Sequence, residues 1–268
     1  MRPVRVFARA KVNLWLNVVG RRADGYHLLH SLVGFCDLAD TLEATPSDRL
    51  MLAIDGPAAG GLADDPDNLV LRAALRLTKN IPVAAGLGGG SADAAAALGA
   101  LVELWRVALP VEELFDLAAR LGADVPMCLA GRTAIASGVG ERLEAAPSLP
   151  ACAVLLVNPR SSLPTAAVFA ARQGAFSPER PVRQPWSDLA SLSDALGARG
   201  NDLTEAAVAL RPEIGDVLDA LRQTPAVRYA AMSGSGATCF GLYEDLVAAT
   251  RAADTLPAAW WRHVGHFV

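Results

Sequence analysis

The 268-residue chain carries 24 Lys and Arg against 28 Asp and Glu, a formal net charge of -4, and 52% of its residues are hydrophobic. That balance leaves no broad cationic surface for a nucleic-acid backbone or an anionic bilayer, so any phosphate it handles must be held locally. The apolar content suffices for one large or two small domains, charges and prolines interrupt every apolar run, and the start MRPVRVFARAKV lacks a signal-peptide core; a cytoplasmic chain without membrane or nucleic-acid partners is expected.

Residues 1–44 read as strands. Val12, Leu14, Leu16 and Val18 alternate with other residues at period two, RADG at 22–25 is turn chemistry, and residues 31–44 continue as a second strand. Asp67-Asn68 can cap a helix running through Leu77, and a second helix is predicted from near Ser91 through an alanine-rich segment to Trp105. Residues 111–121 form an amphipathic helix, and AVLLVNP at 153–159 is a buried strand that opens the second half. Residues 173–199 turn to Pro, Ser, Arg and Gly and read as loop with at most a short helix. NDLTEAAVALRPEIGDVLDAL is helical, with Pro212 starting a new helix, and VRYAAMSGSGATCFGLY places two strands about a glycine-serine turn.

Cys36, Cys128, Cys152 and Cys239 are scattered without a CxxC pair and sit in apolar stretches, which points to reduced buried thiols rather than disulfides or a zinc site. The pair His263-x-x-His266 beside Trp260 and Trp261, like His30, has no partner spacing that argues for metal and reads as packing. Only Lys11 and Lys79 are lysines; every other cation is arginine. A compact ammonium retained against that background suggests a point charge at a crowded site.

The strongest chemical signal is residues 81–105, where Gly86, Gly88, Gly89 and Gly90 run straight into a helix. Glycines let backbone N-H groups approach an anion, and a helix start adds unpaired N-H groups and a partial positive charge, so the segment reads as a phosphate cradle. It is not a Walker loop, because no lysine follows Gly90, and it fits a dinucleotide fingerprint poorly, because Ser91 stands where the last glycine belongs. Gly89, at the centre of the triplet, is the position where a β-branched side chain is expected to block phosphates and resist a glycine-like backbone. LGADVP at 121–126 supplies a carboxylate, Asp124, which taken alone reads as a helix-cap or turn residue.

Pro82-Val83-Ala84-Ala85-Gly86-Leu87-Gly88-Gly89-Gly90-Ser91-Ala92 resembles the PxxxGLGxSSA loop of the GHMP kinase superfamily. ARAKVNLWLNVVGRRADGYH at 8–27 is similar to its first motif and AAMSGSGATCFGLY at 230–243 to its third. The hairpin ending Gly25-Tyr26-His27, with Lys11, Asn13 and LGADVP, resembles the branch of the superfamily that serves the non-mevalonate isoprenoid pathway and whose alcohol substrate carries a cytidine group. The resemblance implies an α+β fold in two lobes: an N-terminal ATP lobe like domain 2 of ribosomal protein S5, residues 1–150, and a smaller α+β C-terminal lobe, residues 151–268, that completes the substrate cleft. It implies ATP as donor with Mg2+, Ser91 as a metal ligand, Asp124 as the base facing the acceptor hydroxyl, and Lys11 beside it. An ammonium beside a carboxylate favours its ionised form at some cost in basicity, which phosphoryl transfer tolerates because positioning and charge stabilisation dominate.

The same resemblance implies that Asn13, Tyr26, His27, Thr165 and Phe169 bind a small-molecule cytidylyl substrate, Tyr26 and Phe169 by stacking and His27 by hydrogen bonds to the base edge. Residue by residue, surface roles for Tyr26 and His27 and a core role for Phe169 stay open. Asn68 and Lys79 are implied at the ATP site, although the helix expected to end at Leu77 leaves almost no room for the strand that precedes this lysine in the family. The alternatives are a real deletion or a stretch absent from the sequence. A monomer or weak homodimer is expected. Two rivals remain: a superfamily kinase acting on homoserine or a mevalonate-type alcohol, and a non-catalytic nucleotide-binding regulator, which would have no use for Asp124.

Overall fold

A computed structural model describes residues 2–47, 51–59, 76–182 and 184–268. The chain forms two compact units that interleave in sequence, one made of residues 1–11, 38–83 and 88–132, the other of 12–37, 84–87 and 133–268. Two 18-residue strands, β1 (Val4–Arg21) and β2 (His27–Ala44), run through both. Along β1, Asn13, Trp15 and Asn17 are as buried as Val12, Leu14 and Leu16, with which they alternate. Buried polar side chains on such a strand need partners. Asn13 donates to Ser31, and Asn17 donates to the Arg199 carbonyl.

In the first unit, the end of β2 pairs antiparallel with β4 (Arg76–Thr78), which pairs parallel with β3 (Ala53–Asp55). The predicted helix through Leu77 is therefore corrected at its visible end; its remainder, with Asn68, lies outside the described residues. Arg76, Leu77 and Thr78 are exposed, buried and half-buried in turn, and Leu77 lies opposite Leu42, so pairing with β2 overrides a locally helical sequence. Helix α1 (Gly89–Trp105) starts two residues before Ser91, and α2 (Val111–Leu121) and α3 (Val125–Ala130) follow. Alanines bury α1 on two sides: Ala92, Ala96 and Ala100 pack with Leu42 and Leu77, while Ala94 and Ala95 meet Ala118 and Val125.

In the second unit, β2 pairs with β5 (Ala134–Gly138), and β5 with β6 (Arg142–Ala145). A separate four-stranded antiparallel sheet follows, with β7 (Ala153–Asn158), β8 (Tyr229–Met232), β9 (Cys239–Tyr243) and β10 (Trp261–His266) in the order β10-β7-β9-β8. Helices α4 (Thr165–Ala171), α5 (Leu189–Gly197), α6 (Thr204–Leu210), α7 (Glu213–Gln223) and α8 (Leu246–Asp254) complete it. All six residues of β7 are buried, and Leu155 and Val157 share a core with Ile214, Val217 and Leu221 of α7. Each such aliphatic side chain stabilises the unit by about 1.5–3 kcal/mol. Pro212 stands at the N-cap of α7 and separates it from α6.

Candidate active site

Helix α1 carries the glycine loop at its start. Its N-cap is Gly88, at φ 65, with no side-chain cap, so the first N-H groups are left for another acceptor. A Cβ at Gly88 would stand 2.6 Å from Cγ and 2.8 Å from Cε of Lys11, which means the lysine stem lies directly across this glycine. Its ammonium ends 2.9 Å from Asp124 Oδ2. Asp124 occupies the N-cap position of α3 but makes no side-chain cap bond, which removes the plain capping reading. The Lys11 side chain is 9% exposed and that of Asp124 36%, so the carboxylate is the member of the pair open to an incoming group.

Behind the loop the first unit holds a cluster that sequence reasoning missed. Lys79 Nζ pairs with Asp40 and, at 2.6 Å, with Asp93 Oδ2, and all three side chains are 3% exposed or less. Asp40 Oδ1 also accepts from the backbone N-H of Asn80 at 2.5 Å and of Ile81 at 2.8 Å. Burial works to lower the Lys79 pKa, but the Asp93 and Asp40 carboxylates outweigh it and hold the ammonium above its ordinary range. Burial pushes Asp93 up to about 7, Lys79 opposes that, and Asp40 adds to it. The expected ATP-site lysine thus has its ammonium engaged by two acids. Arginine elsewhere in the chain was the signal that could have prompted a search for its partners.

In the second unit the loop backbone at Ala85 and Gly86 packs against the glycine-serine turn. A Cβ at Gly86, φ 76, would stand 2.5 Å from the Gly236 carbonyl oxygen. Thr238 N donates to Ala85 O at 3.0 Å, and Ser233 Oγ donates to Gly86 O at 3.1 Å. Ser233 also accepts from Asn13 N, and Asn13 Nδ2 donates to Ser31 Oγ at 2.8 Å. Thr165 Oγ1 and Ser235 Oγ are 2.9 Å apart. Asn13 and Thr165 therefore both belong to hydrogen-bonded networks that reach the third motif, whose serines carried no assignment from sequence.

His27 and Phe169 stack with ring centroids 5.1 Å apart and planes 25° from parallel. Phe169 also packs on the core of this unit. Tyr26, one residue along, is 64% exposed. Its backbone is held in the turn by Arg22 N to Tyr26 O at 2.8 Å, while Gly25 takes φ 93. Burial, then Arg21 and Arg172, lower the His27 pKa, which keeps the ring neutral.

Cys128, Cys152 and Cys239 are free thiols, the first two half-buried and the third buried, and Cys36 is buried as well. His263 and His266 share the Asp37 carboxylate at 3.2 and 3.1 Å, a partner invisible to spacing arguments because it lies on β2. Among the described residues no group of three or more His, Cys, Asp and Glu is arranged to hold a metal ion, and no helix is long and apolar enough to cross a membrane.

The family model for the GHMP kinases N terminal domain matches residues 58–132, and that for the GHMP kinases C terminal matches residues 181–262. A 4-diphosphocytidyl-2-C-methyl-D-erythritol kinase from Paramagnetospirillum magneticum is 51% identical over 95% of both chains. A protein of the same name from Rhodospirillum rubrum is 48% identical over 95% of this chain and 89% of its own. Among solved structures, a 4-(cytidine 5'-diphospho)-2C-methyl-D-erythritol kinase matches with a TM-score of 0.80 and 37% identity, over 98% of this chain and 99% of the other. A homoserine kinase from Cytophaga hutchinsonii, 17% identical over 100% of this chain and 95% of its own, matches with a TM-score of 0.71 and is similar in fold. With the regions of the glycine loop and of the third motif matched, and about half of the residues shared with relatives over 95% of the chain, the chain belongs to the GHMP kinase family.

Proposed function

We propose that this chain is a small-molecule kinase that transfers the γ-phosphoryl group of ATP to the 2-hydroxyl of 4-diphosphocytidyl-2-C-methyl-D-erythritol, in the cytoplasmic non-mevalonate route to isoprenoid precursors. The observation that carries the chemistry is the Lys11–Asp124 pair, whose lysine stem is laid across the left-handed glycine at the start of α1. The choice of substrate is supported by the names of relatives at about 50% identity and by the exposed Tyr26 beside the His27–Phe169 stack.

In this reading residues 82–92 bind the nucleotide phosphates through backbone N-H groups at the N-terminus of α1. Asp124 accepts a hydrogen bond from the acceptor hydroxyl and takes its proton as the new O-P bond forms and the β-γ bridging O-P bond breaks, leaving ADP. Lys11 holds Asp124 in place and stands near the equatorial oxygens that gather charge. The Ser91 hydroxyl, in the first turn of α1, is a hard oxygen donor of the kind Mg2+ accepts, and the ion would neutralise charge on the nucleotide phosphates. Asn13 and Thr165, fixed by Ser31, Ser233 and Ser235, line up the acceptor; neutral His27 presents ring nitrogens to the cytosine edge, with Tyr26 and Phe169 offering aromatic faces.

The test is ADP release with ATP and Mg2+ on addition of the cytidylyl substrate, beside homoserine and mevalonate as competing acceptors. Turnover with the cytidylyl substrate alone is the expected result. Preference for a plain alcohol would overturn the substrate, and no ADP from any acceptor would overturn the kinase reading.

A further inference from the structure

We propose that Lys79 is a positioning residue for the phosphate loop, coupling its entrance to its exit through Asp40 and Asp93 without its ammonium touching the nucleotide. The inference rests on the reading of residues 82–92 as the phosphate site. Three separate segments meet at this one ammonium. Asp40, on β2, grips Lys79 Nζ with one carboxylate oxygen and the backbone N-H groups of Asn80 and Ile81 with the other, so it fixes the chain immediately before Pro82. Asp93 lies one turn into α1 and accepts from Lys79 at 2.6 Å, so it fixes the helix that the loop feeds. Between them, a Cβ at Gly89 would stand 3.4 Å from Lys79 Nζ and 3.2 Å from Ile81 Cγ2, which places the ammonium directly behind the first residue of the helix.

The Lys79 backbone is held as firmly. Its N-H donates to Asp55 O at 2.7 Å, its carbonyl accepts from Ala58 N at 3.0 Å, and Gly56 at φ 99 approaches so closely that a Cβ there would lie 2.5 Å from the Lys79 oxygen. A lysine fixed at both ends is a strut. Stability alone does not explain it: removing an ammonium and its carboxyl partners from water is costly, and replacing a buried ionic cluster with apolar side chains is often neutral or stabilising. The cluster does supply one defined separation between strand and helix, which is what a backbone cradle for phosphates requires, because misplacement on the scale of an ångström is felt in binding and rate. The position of the cations fits a division of labour. Lys11 lies across Gly88 on the side of Asp124, and Lys79 lies behind Gly89 with its side chain 3% exposed.

Asp93→Ala tests the link while leaving Lys79 and Asp40 as a neutral pair. It should raise the KM for ATP by about ten-fold or more, the scale of one lost charge-assisted hydrogen bond, with the KM for the cytidylyl substrate unchanged. Asp93→Asn keeps the shape and an acceptor oxygen and should recover most of that loss, in the same assay and beside thermal melts. Unchanged ATP affinity in Asp93→Ala would overturn the proposal, as would an Asn variant no better than Ala, or equal losses for both ligands. Gly90→Leu separates this from the reading beneath it, since nothing lies within 4 Å of a Cβ at Gly90 and its side chain would block phosphates rather than protein. If Gly90→Leu weakens ATP binding and Asp93→Ala does not, the strut fails alone; if neither does, the phosphate loop itself is misplaced.

Discussion

Replacing Gly88 with alanine should cost turnover through Lys11. The residue is left-handed, at φ 65, and an alanine held there loses about 1–2 kcal/mol relative to the right-handed region. The new Cβ would sit 2.6 Å from Cγ and 2.8 Å from Cε of Lys11, an overpacking that typically costs about 1–3 kcal/mol. A flexible tip cannot give way here, because the atoms struck are in the middle of a side chain whose end is held 2.9 Å from Asp124. The sum, about 2–5 kcal/mol, corresponds to roughly thirty-fold to several-thousand-fold in rate if the strain is expressed at the reacting centre. ADP release at saturating ATP and acceptor should therefore fall at least about thirty-fold, and a melt recorded in parallel reports any part of the strain taken up by the fold. The neighbouring glycines provide the scale: Gly89 is not left-handed and meets only a 3.2 Å contact, and Gly90 meets nothing within 4 Å. Alanine at the three positions should destabilise in the order 88, 89, 90, with Gly90→Ala gaining up to about 1 kcal/mol of helix propensity. A folded Gly88→Ala enzyme with parental turnover would refute the idea that the loop sets Lys11.

Asp124→Asn should retain ATP and acceptor binding and lose about a hundred-fold or more in turnover, and Lys11→Arg should rescue Lys11→Ala poorly because a wide fork cannot replace the ammonium held at Asp124; steady-state kinetics on the three variants checks both. Tyr26→Ala should raise the KM for the cytidylyl substrate by roughly ten-fold to a hundred-fold and leave that for ATP unchanged, and equal effects on both would make Tyr26 a hairpin residue only. His27 has its pKa lowered from 6.5, so the folded state favours the neutral ring: its contribution is complete above 6.5 and is lost as pH falls toward the lowered value. The KM for the cytidylyl substrate should accordingly stay flat down to pH 6.5 and rise only on further acidification, a profile that His27→Gln should flatten.

The sequence was informative where chemistry is local and silent where it is made by distant partners. The glycine triplet, LGADVP and the GYH hairpin are contiguous signatures, and Lys11 and Asp124 meet in the structure. Asp40 and Asp93 left no such trace: Asp40 lies in an alternating strand and Asp93 in an alanine run, each passing for an ordinary polar position until β4 brings Lys79 between them. The same short strand explains the misread helix. Leu77 has helical neighbours in sequence, but its partner is Leu42, and a three-residue pairing outside any local pattern leaves no periodicity to detect. Within the loop, sequence could not rank four glycines. The left-handed backbone falls on Gly86 and Gly88, where the close neighbours are Gly236 and Lys11, and not on the central Gly89.

The two lysines answer one steric requirement. Of the 24 cations 22 are arginines, and among the described residues those in ion pairs, such as Arg76 with Asp55, Arg222 with Asp219 and Arg228 with Glu244, form exposed pairs worth about 0–1 kcal/mol each. There a wide planar fork has room and little depends on its position. The Lys11 stem crosses Gly88 and the Lys79 ammonium stands behind Gly89, both so close that an added Cβ would touch them, and the ammonium groups must meet carboxylates at 2.9 Å for Lys11 and 2.6 Å for the Lys79–Asp93 contact. A guanidinium spreads its donors over a plane and would push either the helix or the carboxylates aside. The glycines and the lysines are therefore one requirement seen from two sides: a backbone thin enough to approach phosphates from the front is also thin enough to be supported from behind by a point charge, and only lysine supplies one.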